Sequence, residues 1–248
     1  MNAAEHRRLE RLALRAWPAL EDIEDDGWRL RAAQGYTGRA NSVAALDPGK
    51  RPLDEKIARC EAWYAARNLP AKFRLTLFSQ PGNLDEVLAA RGYRHVDPVA
   101  TMTLDLASLA APAGAATEGS PVELTLDEWF VGKTSATAPI QRAILERIQP
   151  TRWLMGWRVD GERVARGLGV LEDGWLGLFN VAVDTARRRR GFGRALMEAM
   201  LQRAAGQGAR GAYLQVVEEN AAAVGLYTGI GFREAYRYWY REKNLGAN

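Results

Sequence analysis

Apolar positions along this chain follow two rhythms. Short runs rich in Val, Leu, Phe, Tyr and Trp predict strands, and stretches with apolar residues three and four apart predict amphipathic helices. In the second half, residues 122–126, 153–159, 163–171, 175–183, 212–217 and 232–242 read as strands. Residues 127–134, 138–148, 191–205 and 220–228 read as helices, the last stopped by Gly229 and Gly231. In the first half the N-terminal 26 residues are charged and helical in pattern, 54–67 and 84–90 read as helices, and 27–33, 37–46, 73–79 and a run to about 106 read as strands. Ala90-Arg-Gly-Tyr93 and Thr228-Gly-Ile-Gly-Phe232 share one order: a helix end, a glycine, an aromatic, then a strand. The halves therefore read as diverged copies of one α/β unit, 1–107 and 121–248. Between them, 108–120 is mostly Ala, Gly, Ser and Pro and reads as a linker.

With 248 residues, 47% hydrophobic and 26% charged, the composition is that of a globular protein. It excludes a collagen-like, coiled-coil or wholly disordered chain. No uncharged apolar stretch approaches the ~18 residues of a membrane span, and no apolar signal core precedes the first helix. One cysteine, Cys60, forms no internal disulfide, which fits a cytoplasmic protein. Two histidines leave little material for a metal site or a histidine-centred triad, so no metal is expected. The first 120 residues hold 16 basic and 16 acidic side chains, and the rest hold 18 and 14. All excess positive charge is thus in the second half, four residues of it consecutive, Arg187 to Arg190. An anion is expected there.

The run from Phe179 to Met197 passes from an apolar strand through this basic loop and Gly191-Phe-Gly193 into a helix. Glycines let a ligand approach the backbone, the first helical turn offers unpaired N–H groups, and arginines supply charge and bidentate donors. An arginine run alone reads as a solvated face or a non-specific nucleic-acid contact. The strand-to-helix setting favours an anion cradle instead. The spacing matches neither the nucleotide P-loop nor the three-glycine dinucleotide fingerprint.

Arg188-Arg-Arg-Gly191-Phe-Gly193 resembles the Q/R-x-x-G-x-G/A motif of the GNAT superfamily of N-acetyltransferases. Downstream, Asn220-Ala-Ala-Ala-Val-Gly-Leu226-Tyr227-Thr-Gly-Ile-Gly231-Phe232 resembles that family's N-x-x-A-x-x-L-Y-x-x-x-G-F block. The resemblance covers about residues 121–245. It implies two GNAT-like domains, each a mixed, mostly antiparallel sheet flanked by helices, the first degenerate. It implies acetyl-CoA or a related acyl-CoA as donor. By position, the backbone amides of Arg189, Arg190, Gly191, Phe192, Gly193 and Arg194 would cradle the pyrophosphate, with Arg188 beside them as a further cofactor-binding residue. Val181 and Val183 would meet the pantetheine arm and thioester, Asn220 would hold the CoA chain, and Tyr227 would protonate the leaving thiolate.

Two positions depart from the family's pattern. Gly177 and Gln215 stand where members carry a Glu used as base, so the base is unassigned. In the first half, Asp47-Pro-Gly-Lys-Arg-Pro52 replaces the glycine-rich basic loop, and that half is expected not to bind CoA. Alternation places Arg39 and Asn41 on one strand face, where they are candidate acceptor contacts, and puts Tyr236, Tyr238 and Tyr240 on one face, to line a pocket or pack a core. The expected activity is acetyl transfer to a primary amine of a small molecule or amino acid by direct attack in a ternary complex, with neither membrane nor nucleic acid as partner. The alternatives are an acyl-CoA-binding sensor without turnover and an acetyltransferase acting on a protein N-terminus or lysine.

Overall fold

Asn2 opens the first helix. Its side chain accepts from the amides of Ala4 and Glu5 at 3.0 and 3.1 Å, and the Glu5 carboxylate accepts from the Asn2 amide at 2.7 Å. This capping box starts α1 (Ala3–Ala16) in the computed structural model, which describes residues 1–109 and 118–246, with Asp97 by its backbone alone. There follow β1 (Glu21–Asp25), β2 (Trp28–Ala32), β3 (Val43–Ala44), α2 (Leu53–Ala65), β4 (Ala71–Thr76), α3 (Leu84–Ala90) and β5 (Arg94–Asp105). The chain continues with β6 (Ser120–Glu123), α4 (Leu126–Phe130), α5 (Ala138–Glu146), β7 (Thr151–Val159), β8 (Glu162–Glu172) and β9 (Trp175–Val183). It ends with α6 (Phe192–Gly206), β10 (Gly211–Val217), α7 (Ala221–Ile230) and β11 (Arg233–Lys243). No described helix is long and apolar enough to cross a membrane.

Two units form, and they are not the two sequence halves. One comprises Met1–Val99, Ala136–Ile148 and Tyr236–Asn248, the other Ala100–Ser135 and Gln149–Ala235. β5 thus begins in the first and ends in the second, and β11 runs the other way. Most of the expected linker, 110–117, lies outside the described residues.

The first unit orders its strands β1-β2-β3-β4-β11-β5. Its core gathers Trp28, Leu30, Ile57, Phe73, Leu75 and Tyr93. Tyr236, Tyr238 and Tyr240 do share a face of β11, and that face is buried. They pack a core: the Tyr236 hydroxyl donates to Glu10 at 2.7 Å, and Arg74, itself bound to Glu10 at 2.7 and 2.8 Å, lies over Tyr238. Buried Cys60 behaves as a small hydrophobe, its thiol pushed up to about 12 by burial.

Two expectations for this unit need correction. The strand over 37–46 shrinks to β3, preceded by a 3-10 turn at Gly38–Ala40. Thr37 turns left-handed at φ +61°, and the Asn41 side chain competes with any ladder by bonding the backbone of Ala33, Gly35, Tyr36 and Thr37 at 2.8–2.9 Å. The acidic tail of the expected N-terminal helix is a separate strand, β1, whose carboxylates bind Arg29, Arg51, Arg59 and Arg67.

The second unit orders its strands β5-β10-β9-β8-β7-β6. Pairs β6–β7, β7–β8 and β8–β9 are antiparallel, and β9–β10 is parallel. α6 presses Leu196, Met197 and Met200 into a core with Trp153, Leu176, Leu178 and Leu214. Gly167 and Gly169 on β8 make room for Met200, whose sulfur and methyl would sit 3.3 and 3.0 Å from a Cβ at those positions.

Candidate active site

The parallel register of β9 and β10 runs from Trp175 opposite Gly211 to Leu178 opposite Leu214, and stops. β9 continues five residues further, to Val183, and β10 three, to Val217. The two strands part there, and the β10-facing backbone groups of 179–183 lose their strand partner. A bulge marks the same place on the other side of β9. Asn180 and Val181 stand against the single residue Gly167 of β8, with Asn180 at φ +52°. Bulges re-aim a strand, and this one sits where the cleft begins.

Val181 and Val183 lie on this unpaired stretch, with their side chains toward α6. Val181 Cγ2 borders Gly167, and Val183 Cγ2 would stand 3.2 Å from a Cβ at Gly193. The absence of a side chain at Gly193 therefore lets α6 start close against β9 and Leu226 of α7, a packing reason beside the ligand approach expected of it.

Between β9 and α6 runs a 3-10 turn, Thr185–Arg187, then Arg188, Arg189 and Arg190. Arg189 is left-handed at φ +61°, as is Gly191 at +86°. For Arg189 this backbone costs roughly 1–2 kcal/mol. Gly191 caps α6 without a side-chain acceptor, so the amides of Phe192, Gly193 and Arg194 enter the helix with no intrahelical partner. The helix dipole adds positive potential at that point.

The arginine side chains spread around this turn. Arg188 Nε reaches the Val183 carbonyl at 3.4 Å, and Arg190 pairs with Glu118 and lies over Phe192. Arg187 meets Glu162 at 3.4 Å. Arg194 turns away along the helix surface, to Glu198 at 3.3 Å and to Gly229 of α7. Its amide remains among those open at the start of α6.

α7 carries the other two expected residues. Asn220 is its N-cap, accepting from the Ala223 amide at 3.2 Å, which occupies Oδ1 and leaves Nδ2 to donate. Tyr227 follows two turns later, its ring 6.3 Å from Phe232. Burial pushes its phenol above the ordinary range, so it stays protonated at neutral pH. Among the described residues no protein group bonds its hydroxyl. α7 is Ala, Val, Gly, Leu, Tyr and Ile but for Thr228, yet none of its residues is fully buried.

Gly177 has a structural reason that the sequence does not show. It pairs with Tyr213 of β10, and a Cβ there would lie 2.6 Å from the Tyr213 hydroxyl and 2.7 Å from the Phe179 ring. The ring fills the space a carboxylate would need. Arg39 and Asn41 belong to the first unit and share no strand face: Asn41 commits its whole amide to the loop, and the Arg39 guanidinium lies 5.0 Å from the Trp17 ring. Asn180 and Tyr213 are what sequence reasoning missed. Asn180 left a signal, as the polar break in an apolar run; Tyr213 left none, because its role depends on which residue lies opposite.

Known proteins share this plan. A family model described as "Probable histone acetyltransferase Rv0428c C-terminal" matches residues 3–241. The chain is 32% identical over 245 residues to "Uncharacterized N-acetyltransferase YobR" of Bacillus subtilis, across 96% of this chain and 98% of that protein. Among solved structures, a GCN5-related N-acetyltransferase from Kribbella flavida superposes with a TM-score of 0.73 at 16% identity, over 97% of this chain and 96% of that one. A tandem GNAT protein from the clavulanic acid biosynthesis pathway gives 0.64 at 15% identity, over 97% and 88%. With a family model along nearly its whole length and a full-length relative, the chain belongs to the GNAT N-acetyltransferases and is an acyltransferase enzyme.

Proposed function

We propose that the second unit moves the acetyl group of acetyl-CoA to a primary amine of a small molecule or amino acid by direct attack in a ternary complex. The observation that carries this reading is the parting of β9 and β10 directly above the uncapped start of α6. An extended arm with amide groups fits the unpaired edge of β9 as an added strand would, through Val181 and Val183. The pyrophosphate then meets the turn from Arg188 to Arg194, Asn220 Nδ2 donates to the CoA chain, and the small-residue surface of α7 faces it. The amine nitrogen attacks the thioester carbon, the carbon–sulfur bond breaks, and the thiolate takes the Tyr227 proton. The proton lost by the amine leaves through water, since Gly177 and Gln215 hold no carboxylate. Buried Cys60 belongs to the other unit, which fits transfer without a covalent intermediate.

The first unit reads as a copy that has lost its cradle. Both units stop a helix the same way. Tyr93 donates to Leu88 across Gly92 at 3.1 Å, and Phe232 to Tyr227 across Gly231 at 3.0 Å. Ahead of α2, however, the amides of Lys50 and Arg51 already bind the Asp26 carboxylate at 2.9–3.0 Å, and Lys56 donates to the Asp26 carbonyl at 2.7 Å. The protein's own anion thus occupies the amides of the loop that stands in place of a glycine-rich basic one. The family model's description favours a second acceptor class, a histone-like protein amine.

CoA release is measured with acetyl-CoA, a panel of small amines and a basic peptide, beside Tyr227→Phe. Turnover with a small amine, reduced about 10²-fold or more in the variant, is expected. Turnover with the peptide alone would replace the acceptor class, and tight acetyl-CoA binding with no turnover on any amine would favour a sensor.

A further inference from the structure

The face of β8 and β9 turned away from α6 carries a feature the transfer chemistry above does not use. Val181 and Val183 point to α6, so the alternate residue Ala182 points to the opposite face, beside Arg166 in the register. Ala182 is exposed. A cleft of about 560 Å³ opens on the same unit between the Gly132 turn after α4, strands β7 and β8, and Asp184, the residue that follows β9. Lys133, Arg158, Arg163 and Arg166 line it, against Glu128, Glu162 and Asp184.

Two of the three acids, Glu128 and Glu162, are engaged. Glu128 closes the capping box on Thr125 and binds Arg158 at 2.9 Å, and Glu162 meets Arg187 at 3.4 Å. The cations are held in place. Arg163 is fixed by the carbonyls of Glu128 and Val131. Lys133 Nζ and Arg166 Cζ each stand 5.4 Å from the ring of fully buried Trp129. Burial, then the neighbouring charges of Arg166 and Arg163, push the Lys133 ammonium down to about 8. Crowded positive charge on a rigid aromatic floor, four cations against three acids of which two are already paired to arginines, is built to receive an anion.

We propose that this cleft seats an anionic group, a carboxylate or phosphate, carried by the acceptor amine. The assignment rests on the acetyl-transfer reading of the same unit and names its substrate class: an amine that is also an acid. Lys133, Arg163 and Arg166 hold the acid group. The cleft begins one residue beyond Val183, so an acceptor anchored there lies alongside the strand end that borders the donor.

The test has a binding arm and a kinetic arm. Inorganic phosphate is titrated calorimetrically into protein saturated with acetyl-CoA, with Arg166→Gln, Lys133→Gln and Arg190→Gln alongside. Saturable binding is expected, weakened roughly tenfold or more by Arg166→Gln or Lys133→Gln and unchanged by Arg190→Gln. Lys133, on an exposed turn, decides the matter if the Arg166 variant does not fold. In the kinetic arm, glycine is compared with glycinamide and phosphoethanolamine with ethanolamine. Arg166→Gln should raise KM for the acid of each pair and leave the neutral partner unchanged. No phosphate binding by the wild type overturns the proposal, and so does binding lost only in Arg190→Gln. A KM change for acetyl-CoA that vanishes with dephospho-CoA also overturns it, by giving the cleft to the donor's 3′-phosphate. If acetyl-CoA itself does not bind, the transfer reading fails, and phosphate titration of the free protein still decides the cleft.

Discussion

At the scale of single residues, the site is defined as much by what is missing as by what is present. Gly177 carries no carboxylate because Tyr213 and Phe179 fill the space beside it. Gly177→Ala is therefore expected to lower stability by about 1–3 kcal/mol through overpacking, read as a drop in thermal midpoint. Gly177→Glu should lose more stability still and gain no rate. Without a carboxylate base at 177 or 215, the proposed mechanism takes its pH dependence from other groups. The acceptor must be neutral, so kcat/KM should climb toward the acceptor's own pKa, about 10 for a simple alkyl amine. Tyr227 must be protonated, and burial raises its pKa, so the falling limb moves to higher pH than an ordinary phenol would give. A rise that instead levels off between about pH 6 and 7 would reveal a carboxylate or histidine base.

Elements show where a sequence can be read and where it cannot. β9 and α3 keep the bounds that periodicity predicts, because their apolar patterns are strong and their ends are marked by turns. The segment after Thr37 misleads, since its β-like pattern is overruled by a left-handed Thr37 and by Asn41 bonding four backbone groups. β1 escapes detection because Ile23 is its one apolar residue; its carboxylates hold it through arginines from distant segments. The start of α2 carries the prediction for this scale. Amides from Lys50 and Arg51 hold Asp26 at about 2, below the ordinary 3.8. A depressed carboxylate stabilises the fold above its unfolded pKa and loses that contribution as pH falls through the folded one. Asp26→Asn should therefore lower the denaturant midpoint at neutral pH and flatten the wild-type loss of stability between about pH 4 and 2.

Across the whole molecule, the motifs from Phe179 to Phe232 were legible because their chemistry is local: a strand end, a turn and two helix starts. The partition into units was not. Ala100, Met102, Leu104 and Leu106 belong to the core of the second unit although they precede the low-complexity segment, and Tyr238 and Tyr240 pack with Val99 in the first. Composition marks where a chain is free of bulky residues, and it carries no record of which strand a later segment joins. Both units stop a helix alike, but the loop ahead of α2 has its Lys50 and Arg51 amides taken by Asp26, whereas the turn ahead of α6 holds no such internal carboxylate on its amides among the described residues. The most direct measurement of this account is the stoichiometry of acetyl-CoA binding by calorimetry. One acetyl-CoA per chain is predicted, lost or weakened about tenfold or more when Gly193→Ala drives α6 away from Val183. Two per chain, or none, would contradict it.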